Sequence, residues 1–235
     1  MAFDRLQNAS FTRDQIAVAL THSSLGGGHL GVAFHSAKDG VQLTHLAWHQ
    51  QLKVDNVPSE ITQCWICTTV ELPPLASKAA VAVMRSVSKK KPLINYGIGA
   101  VAAKGSFTGN GVYRAPKGSD GLTCATFVVE ILRNAGIPLV KYETWKDNPE
   151  NVAWGEAVCN ALKKDGVPDE HVDAVRKNVG KLRLRPYEAV GAAMLPAKQR
   201  PADYEAAQPG ATAAEAALVE QCPRNPRPPL LVTMH

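Results

Sequence analysis

The chain has 235 residues, of which 45% are hydrophobic and 20% are charged, and its formal net charge is +5. These values are ordinary for a globular protein and allow a full hydrophobic core. No dense stripe of Arg and Lys with interleaved aromatic residues accompanies the charge, so no nucleic-acid partner is predicted. No apolar run approaches the roughly 18 residues of a transmembrane segment. The five cysteines are odd in number and irregularly spaced, which favours a reducing, cytoplasmic location over a disulfide framework.

The first half of the chain is predicted to contain a β-hairpin. The run Thr12-Arg13-Asp14-Gln15 indicates a cap for a short helix over residues 16–20, inside an otherwise irregular lead-in. Residues 29–35 alternate between apolar and polar or small side chains, as a strand does, and residues 41–49 return after a Gly-containing turn. A third strand is predicted over residues 61–70.

Two histidines of this hairpin are candidate functional residues. His29 begins the first strand, and His45 lies in the second with His49 two positions further on the same face. Whether His29 and His45 share a face depends on the length of the turn, because a shift of one residue moves a whole strand to the other face. If the register brings the faces together, the two imidazoles meet.

A cysteine begins the most strongly patterned helix of the chain. The turn-rich run 116–121 leads to Cys124, and the apolar pattern that follows predicts a helix from Cys124 to Asn134. Unpaired N–H groups and the macrodipole at a helix N-terminus favour thiolate over thiol. Cys124 is therefore the candidate nucleophile, and its backbone N–H is a candidate oxyanion donor.

The remaining pattern is mainly helical. Helices are predicted over 76–88, 151–164, 168–182 and 187–195. The composition then shifts to Ala, Pro, Gln and Arg, with only a weak helical pattern over 211–220. We therefore expect one domain over residues 1–195 and a poorly ordered or extended tail over 196–235.

The order of these blocks resembles a known family. His29-Leu-Gly-Val-Ala-Phe, then Thr44-His45-Leu46, then Thr123-Cys124-Ala-Thr-Phe-Val-Val-Glu is similar to the circularly permuted branch of the papain-like NlpC/P60 superfamily, which includes lecithin–retinol acyltransferase and bacterial permuted cysteine hydrolases. The resemblance implies an α+β fold in which an antiparallel sheet packs against the helix that carries the cysteine, here with added C-terminal helices. It also implies that Cys124 is the nucleophile, His29 the base and His45 the orienting partner.

Some residues depart from that pattern. Thr123, Ala125 and Thr126 stand where the lipid acyltransferases have Asn, Glu and His, and no hydrophobic anchor is apparent. Both departures favour an amide or ester hydrolase over a lipid enzyme. A variant assignment makes His45 the base and a polar residue such as Gln63 its partner.

The preferred function is a thiol hydrolase that cleaves a peptide, isopeptide or other amide bond through a Cys124 thioester. An acyltransferase or lipase remains open, as does a catalytically silent papain-like module whose basic, Pro-rich tail contacts a protein partner. Cys64 and Cys67 have Cys-x-x-Cys spacing but no second pair of ligands, so neither a metal nor another cofactor is predicted.

Overall fold

A computed structural model describes residues 3–36, 38–99 and 105–223. Its centre is a six-stranded antiparallel sheet with the strand order β1-β6-β2-β3-β4-β5. These strands are β1 (Asp4–Arg5), β2 (Ile16–His22), β3 (Gly28–Ser36), β4 (Gly40–Trp48), β5 (Gln51–Val57) and β6 (Ile66–Thr69). A separate two-stranded ribbon pairs β7 (Ser106–Phe107) with β8 (Tyr113–Arg114).

Helices follow the sheet in the chain. They are α1 (Pro74–Lys90), α2 (Cys124–Asn134), α3 (Asn151–Lys164), α4 (Asp169–Arg176), α5 (Pro186–Met194) and α6 (Tyr204–Gln221). The predicted helices over 76–88, 124–134, 151–164 and 187–195 are confirmed, whereas the one over 168–182 ends at Arg176. None of the helices in the described part of the chain is long and apolar enough to cross a membrane. The architecture is therefore α+β, with an antiparallel sheet.

The two faces of the sheet have different neighbours. Leu30, Val32 and Phe34 alternate along β3 and are fully buried in the larger core, which also contains the apolar side chains of α1, α2 and α5. Residues on the opposite face form a smaller core with Trp65 and Leu6. Helix α2 lies on the side of the larger core, whereas His29 lies on the opposite face of β3. Cys124 and the His29 side chain are therefore on different sides of the sheet.

The helix predicted over residues 16–20 is wrong, and the strand predicted over 61–70 is only partly right. Residues 16–20 belong to β2, in the middle of the sheet, because their apolar run is buried between β3 and β6 and is not the face of a short helix. The predicted third strand over 61–70 begins as the 3₁₀ turn Glu60–Thr62, and only its end forms β6. The strand that pairs with β4 is β5, which the sequence analysis did not predict.

The prediction of a poorly ordered or extended tail is wrong for residues Tyr204–Gln221. They form α6, which packs closely on α5 because small residues line the contact. A Cβ on Gly191 would lie 2.1 Å from the carbonyl oxygen of Ala207. The end of α6 is also held by the sheet, since the backbone carbonyl of Cys222 lies 2.7 Å from Nε2 of His22. The last part of the predicted tail, 224–235, lies outside the described residues.

We predict that Leu218→Ala lowers the free energy of unfolding by about 2–5 kcal/mol. The Leu218 side chain lies on the buried face of α6, and its truncation leaves a cavity. Val219→Ala is the matched control, since Val219 is 58% exposed on the same helix and its change should stay within about 0.5 kcal/mol. Urea unfolding of both variants measures the difference. Equal midpoints would show that α6 does not pack on the domain in solution.

Candidate functional site

The register of the β3–β4 hairpin brings His29 and His45 to the same face. The ladder pairs Val32 with Thr44, so the even-numbered residues of β3 and β4 share one face of the sheet. The odd-numbered residues, which include His29 and His45, share the other face. His29 Nε2 lies 2.7 Å from His45 Nδ1, and the two rings meet edge to face with centroids 4.9 Å apart. The register question that the sequence left open is therefore answered: the imidazoles are in contact.

The hairpin separates at the same place. The ladder between β3 and β4 runs from Ser36 and Gly40 to Val32 and Thr44 and stops there, although both strands continue. Over the separated part, the hydrogen bond between the two imidazoles links the strands in place of backbone pairing. Gly31 leaves the space for this, because a Cβ there would lie 2.9 Å from the Cβ of His45.

Asp55 on β5 extends the histidine pair into a chain of three side chains. Its Oδ2 lies 3.0 Å from His45 Nε2. A carboxylate only accepts hydrogen bonds, so His45 donates from Nε2 and its Nδ1 is the acceptor for Nε2–H of His29. This assignment leaves Nδ1 of His29 as the basic nitrogen.

Asp55 was not predicted as a site residue, because β5 was not predicted from the sequence. The signal was the alternation over 51–57, where Leu52 is buried and its neighbours Gln51 and Lys53 are exposed. Gln63, the alternative partner expected from the sequence, is exposed at the end of the 3₁₀ turn Glu60–Thr62. His45 therefore has Asp55 as its carboxylate partner.

Both imidazoles are shielded from water. They pack against the buried ring of Trp65, with centroid distances of 5.6 Å for His29 and 5.2 Å for His45. Burial, with a smaller contribution from His45, lowers the pKa of His29 to about 3. Burial also lowers the pKa of His45, against the opposing effect of Asp55. At neutral pH His29 is therefore an uncharged base.

Cys124 occupies the first turn of α2, as the sequence predicts. Thr123 is the N-cap, and it forms a reciprocal capping box with Thr126. The approach to the helix is fixed by Gly121, whose φ is +116° and whose added Cβ would lie 2.0 Å from the carbonyl oxygen of Asn95. Leu122 then bridges to Tyr96, which sets Tyr96 beside the start of the helix.

The environment of Cys124 favours a thiol and not the predicted thiolate. The side chain is 5% exposed, and burial raises the pKa of the Cys124 thiol. Hydrogen bonds from the backbone of Leu30 and Ala125, together with the charge of Arg183, act in the opposite direction but are smaller. The helix terminus does act on the sulfur, yet desolvation outweighs it, and the resting state is a thiol.

One pocket of about 60 Å³ is lined by both Cys124 and His29. Trp48, Tyr96 and Arg183 contribute to the same wall. Within the described residues no hydrogen bond joins Cys124 to His29, and the sulfur instead faces the backbone of Leu30, the residue after His29. The structure thus brings the three predicted residues to one site, with His45 behind His29 as seen from the pocket.

Tyr96 completes the pocket and was not predicted as a site residue. Its backbone N–H donates to Nδ1 of His49, and its carbonyl lies 2.9 Å from Nε2 of His171. The ring packs on Trp48 with centroids 4.6 Å apart, and burial raises the pKa of the phenol. Tyr96 therefore lines the same pocket as Cys124, and its phenol stays protonated.

No protein-family model, no curated protein and no solved structure matches this chain in the comparisons. The resemblance to the permuted NlpC/P60 branch rests on the sequence blocks quoted above alone.

We predict that His29 makes the protein less stable in mild acid. Its folded pKa of about 3 lies below the ordinary 6.5, so between these pH values the unfolded chain binds a proton that the folded chain does not. The free energy of unfolding then falls as the pH falls, by at most about 1.4 kcal/mol per pH unit from this group. Urea unfolding at pH 6.5 and 4.5 should show a smaller loss for His29→Gln than for the wild type. Equal losses would mean that His29 is not buried as an uncharged ring.

Proposed function

We propose that this protein is a papain-like thiol hydrolase that cleaves an amide or ester bond through an acyl-thioester on Cys124. The observation that carries the proposal is the chain Asp55–His45–His29, whose last imidazole lines the same pocket as the sulfur at the start of α2. A base whose tautomer is set by a second and a third side chain is the arrangement that activates Cys and Ser nucleophiles.

The proton path follows from the tautomers. As the sulfur attacks the carbonyl carbon, Nδ1 of His29 takes the thiol proton, so the imidazolium forms while the C–S bond forms. His45 accepts from Nε2–H of the imidazolium, and Asp55 stabilises the charge from the far end. The proton then goes to the leaving amine or alcohol as the C–N or C–O bond breaks. Water attacks the thioester, gives a proton to His29, and the C–S bond breaks to release the acid and restore the thiol.

Because thiol and base are both uncharged at rest, this path needs no preformed ion pair. Catalytic hydrogen bonds are often long or absent in free enzymes and form when the substrate is bound. The missing bond between Cys124 and His29 in the free chain is consistent with that behaviour.

We assign two donors of the pocket to the developing oxyanion. The backbone N–H of Cys124 is one of the unpaired donors of the first turn of α2, and the Tyr96 hydroxyl is the second. The backbone donor was expected from the sequence, whereas the phenol was not.

The fold that we propose is the permuted papain-like one, in the order His29, His45, Cys124 along the chain. The acceptor that releases the acyl group is water in a hydrolase and an alcohol or amine in an acyltransferase. We favour water because the residues beside Cys124 differ from those of the lipid acyltransferases, as noted above. A silent binding module with the same fold is the outcome that the next experiment excludes or supports.

We predict that p-nitrophenyl acetate acylates Cys124. Release of p-nitrophenolate should show a burst of about one equivalent per chain, followed by slower turnover, because the acyl-thioester accumulates. Mass spectrometry should find the acetyl group on the peptide that contains Cys124. Cys124→Ala should abolish the burst.

Cys64→Ala is the control, since Cys64 is the exposed thiol of the described chain and an unactivated thiol would react there first. The burst should survive in that variant. Acetylation confined to Cys64, with Cys124 unmodified, would contradict the proposed hydrolase and favour a binding module.

We also predict that Asp55→Asn slows acylation at least about a hundredfold without comparable loss of stability. An amide donates a hydrogen bond to His45 Nε2, which reverses both tautomers and leaves Nδ1 of His29 protonated. Asp39→Asn is the matched control, because Asp39 lies in the hairpin turn away from the pocket. Stopped-flow release of p-nitrophenolate, with urea unfolding beside it, separates the effects. Similar rates in the two variants would remove Asp55 from the mechanism.

A further inference from the structure

Arg183 connects the nucleophile pocket with a larger cavity. It lies in the segment between α4 and α5, for which the family resemblance offers no counterpart. Its side chain lines the pocket of about 60 Å³ at Cys124 and also a cavity of about 590 Å³ on the other side. The larger volume is in the range of small-molecule sites.

The guanidinium of Arg183 is held in place by stacking. Its Cζ lies 3.3 Å from the centre of the Trp154 ring, which is partly buried against the core. Burial lowers the pKa of Arg183 to about 10, so the group remains charged at neutral pH. Among the described residues, no hydrogen bond and no carboxylate within 4.0 Å accompanies this stacking. The N–H groups of this half-buried guanidinium are therefore available to a ligand that enters the pocket.

Three of the four acidic residues that line the larger cavity, Asp147, Glu188 and Asp203, accept hydrogen bonds from other groups, and the fourth is Glu205. Glu188 accepts hydrogen bonds from the Trp145 indole and from the backbone of Arg185. Asp147 accepts from the backbone N–H of Leu182. The neighbouring cation Arg185 lies 3.6 Å from Glu150, so Arg183 is the arginine of this cavity that has no carboxylate partner.

We propose that Arg183 is the specificity-determining residue of the site and that it binds a free carboxylate of the substrate next to the bond attacked by Cys124. This inference rests on the proposed hydrolase. The planar fork of a guanidinium matches a carboxylate through two parallel hydrogen bonds. Because the pocket shared with Cys124 is small, the carboxylate and the scissile carbonyl are separated by only a few bonds. The remainder of the substrate occupies the larger cavity.

If Arg183 acted only by stabilising the Cys124 thiolate, the selectivity of the sulfur between reagents would be different. Its charge also attracts the Cys124 thiolate, and this effect changes the reactivity of the sulfur toward every reagent equally. Binding of a carboxylate changes reactivity only toward anionic reagents. A competition between two reagents of the same size, one charged and one neutral, separates the two roles.

The test is alkylation by an equimolar mixture of iodoacetate and iodoacetamide at pH 8.5. In each case the thiolate displaces iodide, so a C–S bond forms and the C–I bond breaks, and the ratio of the two products does not depend on the thiolate fraction. Mass spectrometry gives the ratio of carboxymethyl to carbamidomethyl product at Cys124. The exposed Cys64 of the same molecule supplies the reference ratio.

We expect the ratio at Cys124 to exceed that at Cys64 about tenfold in the wild type, because the ion pair holds iodoacetate beside the sulfur. Arg183→Gln should reduce the ratio to that of Cys64, and Arg183→Lys should keep part of the preference. Arg185→Gln is the matched control and should leave the ratio within about twofold, since Arg185 does not line the pocket at Cys124.

Equal ratios at Cys124 and Cys64 in the wild type would overturn the inference and leave the proposed hydrolase intact. An unchanged ratio with slower labelling by both reagents in Arg183→Gln would assign Arg183 to the thiolate alone, which also overturns it. If neither reagent modifies Cys124 while Cys64 reacts, the proposed hydrolase fails and the inference fails with it.

Discussion

The separation of β3 from β4 beyond the Val32–Thr44 pair is the constraint on which the site depends. If the ladder continued, the backbone of Leu30 would also pair with β4 and would not face the sulfur of Cys124. The split lets a helix on one side of the sheet meet histidines on the other side, because the sulfur and the imidazole of His29 reach the pocket from opposite faces. The side chains of His29 and His45 then restore the lost connection between the strands.

Burial favours the uncharged form of both the nucleophile Cys124 and the base His29. The same desolvation that raises the pKa of the Cys124 thiol lowers that of His29, so both effects favour the uncharged pair over thiolate and imidazolium. The helix terminus, the backbone donors and Arg183 reduce the cost of a negative sulfur without removing it. In the mechanism that we propose, charge separation begins only when the substrate carbonyl carbon is in reach, and the negative charge then moves from the sulfur to the oxyanion.

The elements that the sequence predicts well are those whose signal is local. Helix α2 and its cysteine follow from a capping residue, an apolar period and a terminating glycine, all within the run 121–136. Asp55 could not be found in the same way, because its role depends on pairing between β4 and β5, which an alternation of only seven residues indicates weakly. Arg183 gives no sequence signal, since its cavities form only when segments near 145, 150 and 204 come together. The thiolate expectation was wrong because a helix terminus is visible in sequence and burial is not.

Composition misled the prediction for the C-terminal segment for a related reason. The prediction rested on the shift to Ala, Pro, Gln and Arg after residue 195, yet the small residues of α5 and α6 allow two backbones to approach so closely that no larger side chain fits at Gly191. Close packing of this kind buries many small surfaces and needs no large apolar residue. It also has a consequence for the site, because α5 begins at Pro186 in the wall of the pocket at Cys124, and α6 supports α5 from outside. The helix that looked like a tail is therefore part of the scaffold that holds the segment carrying Arg183.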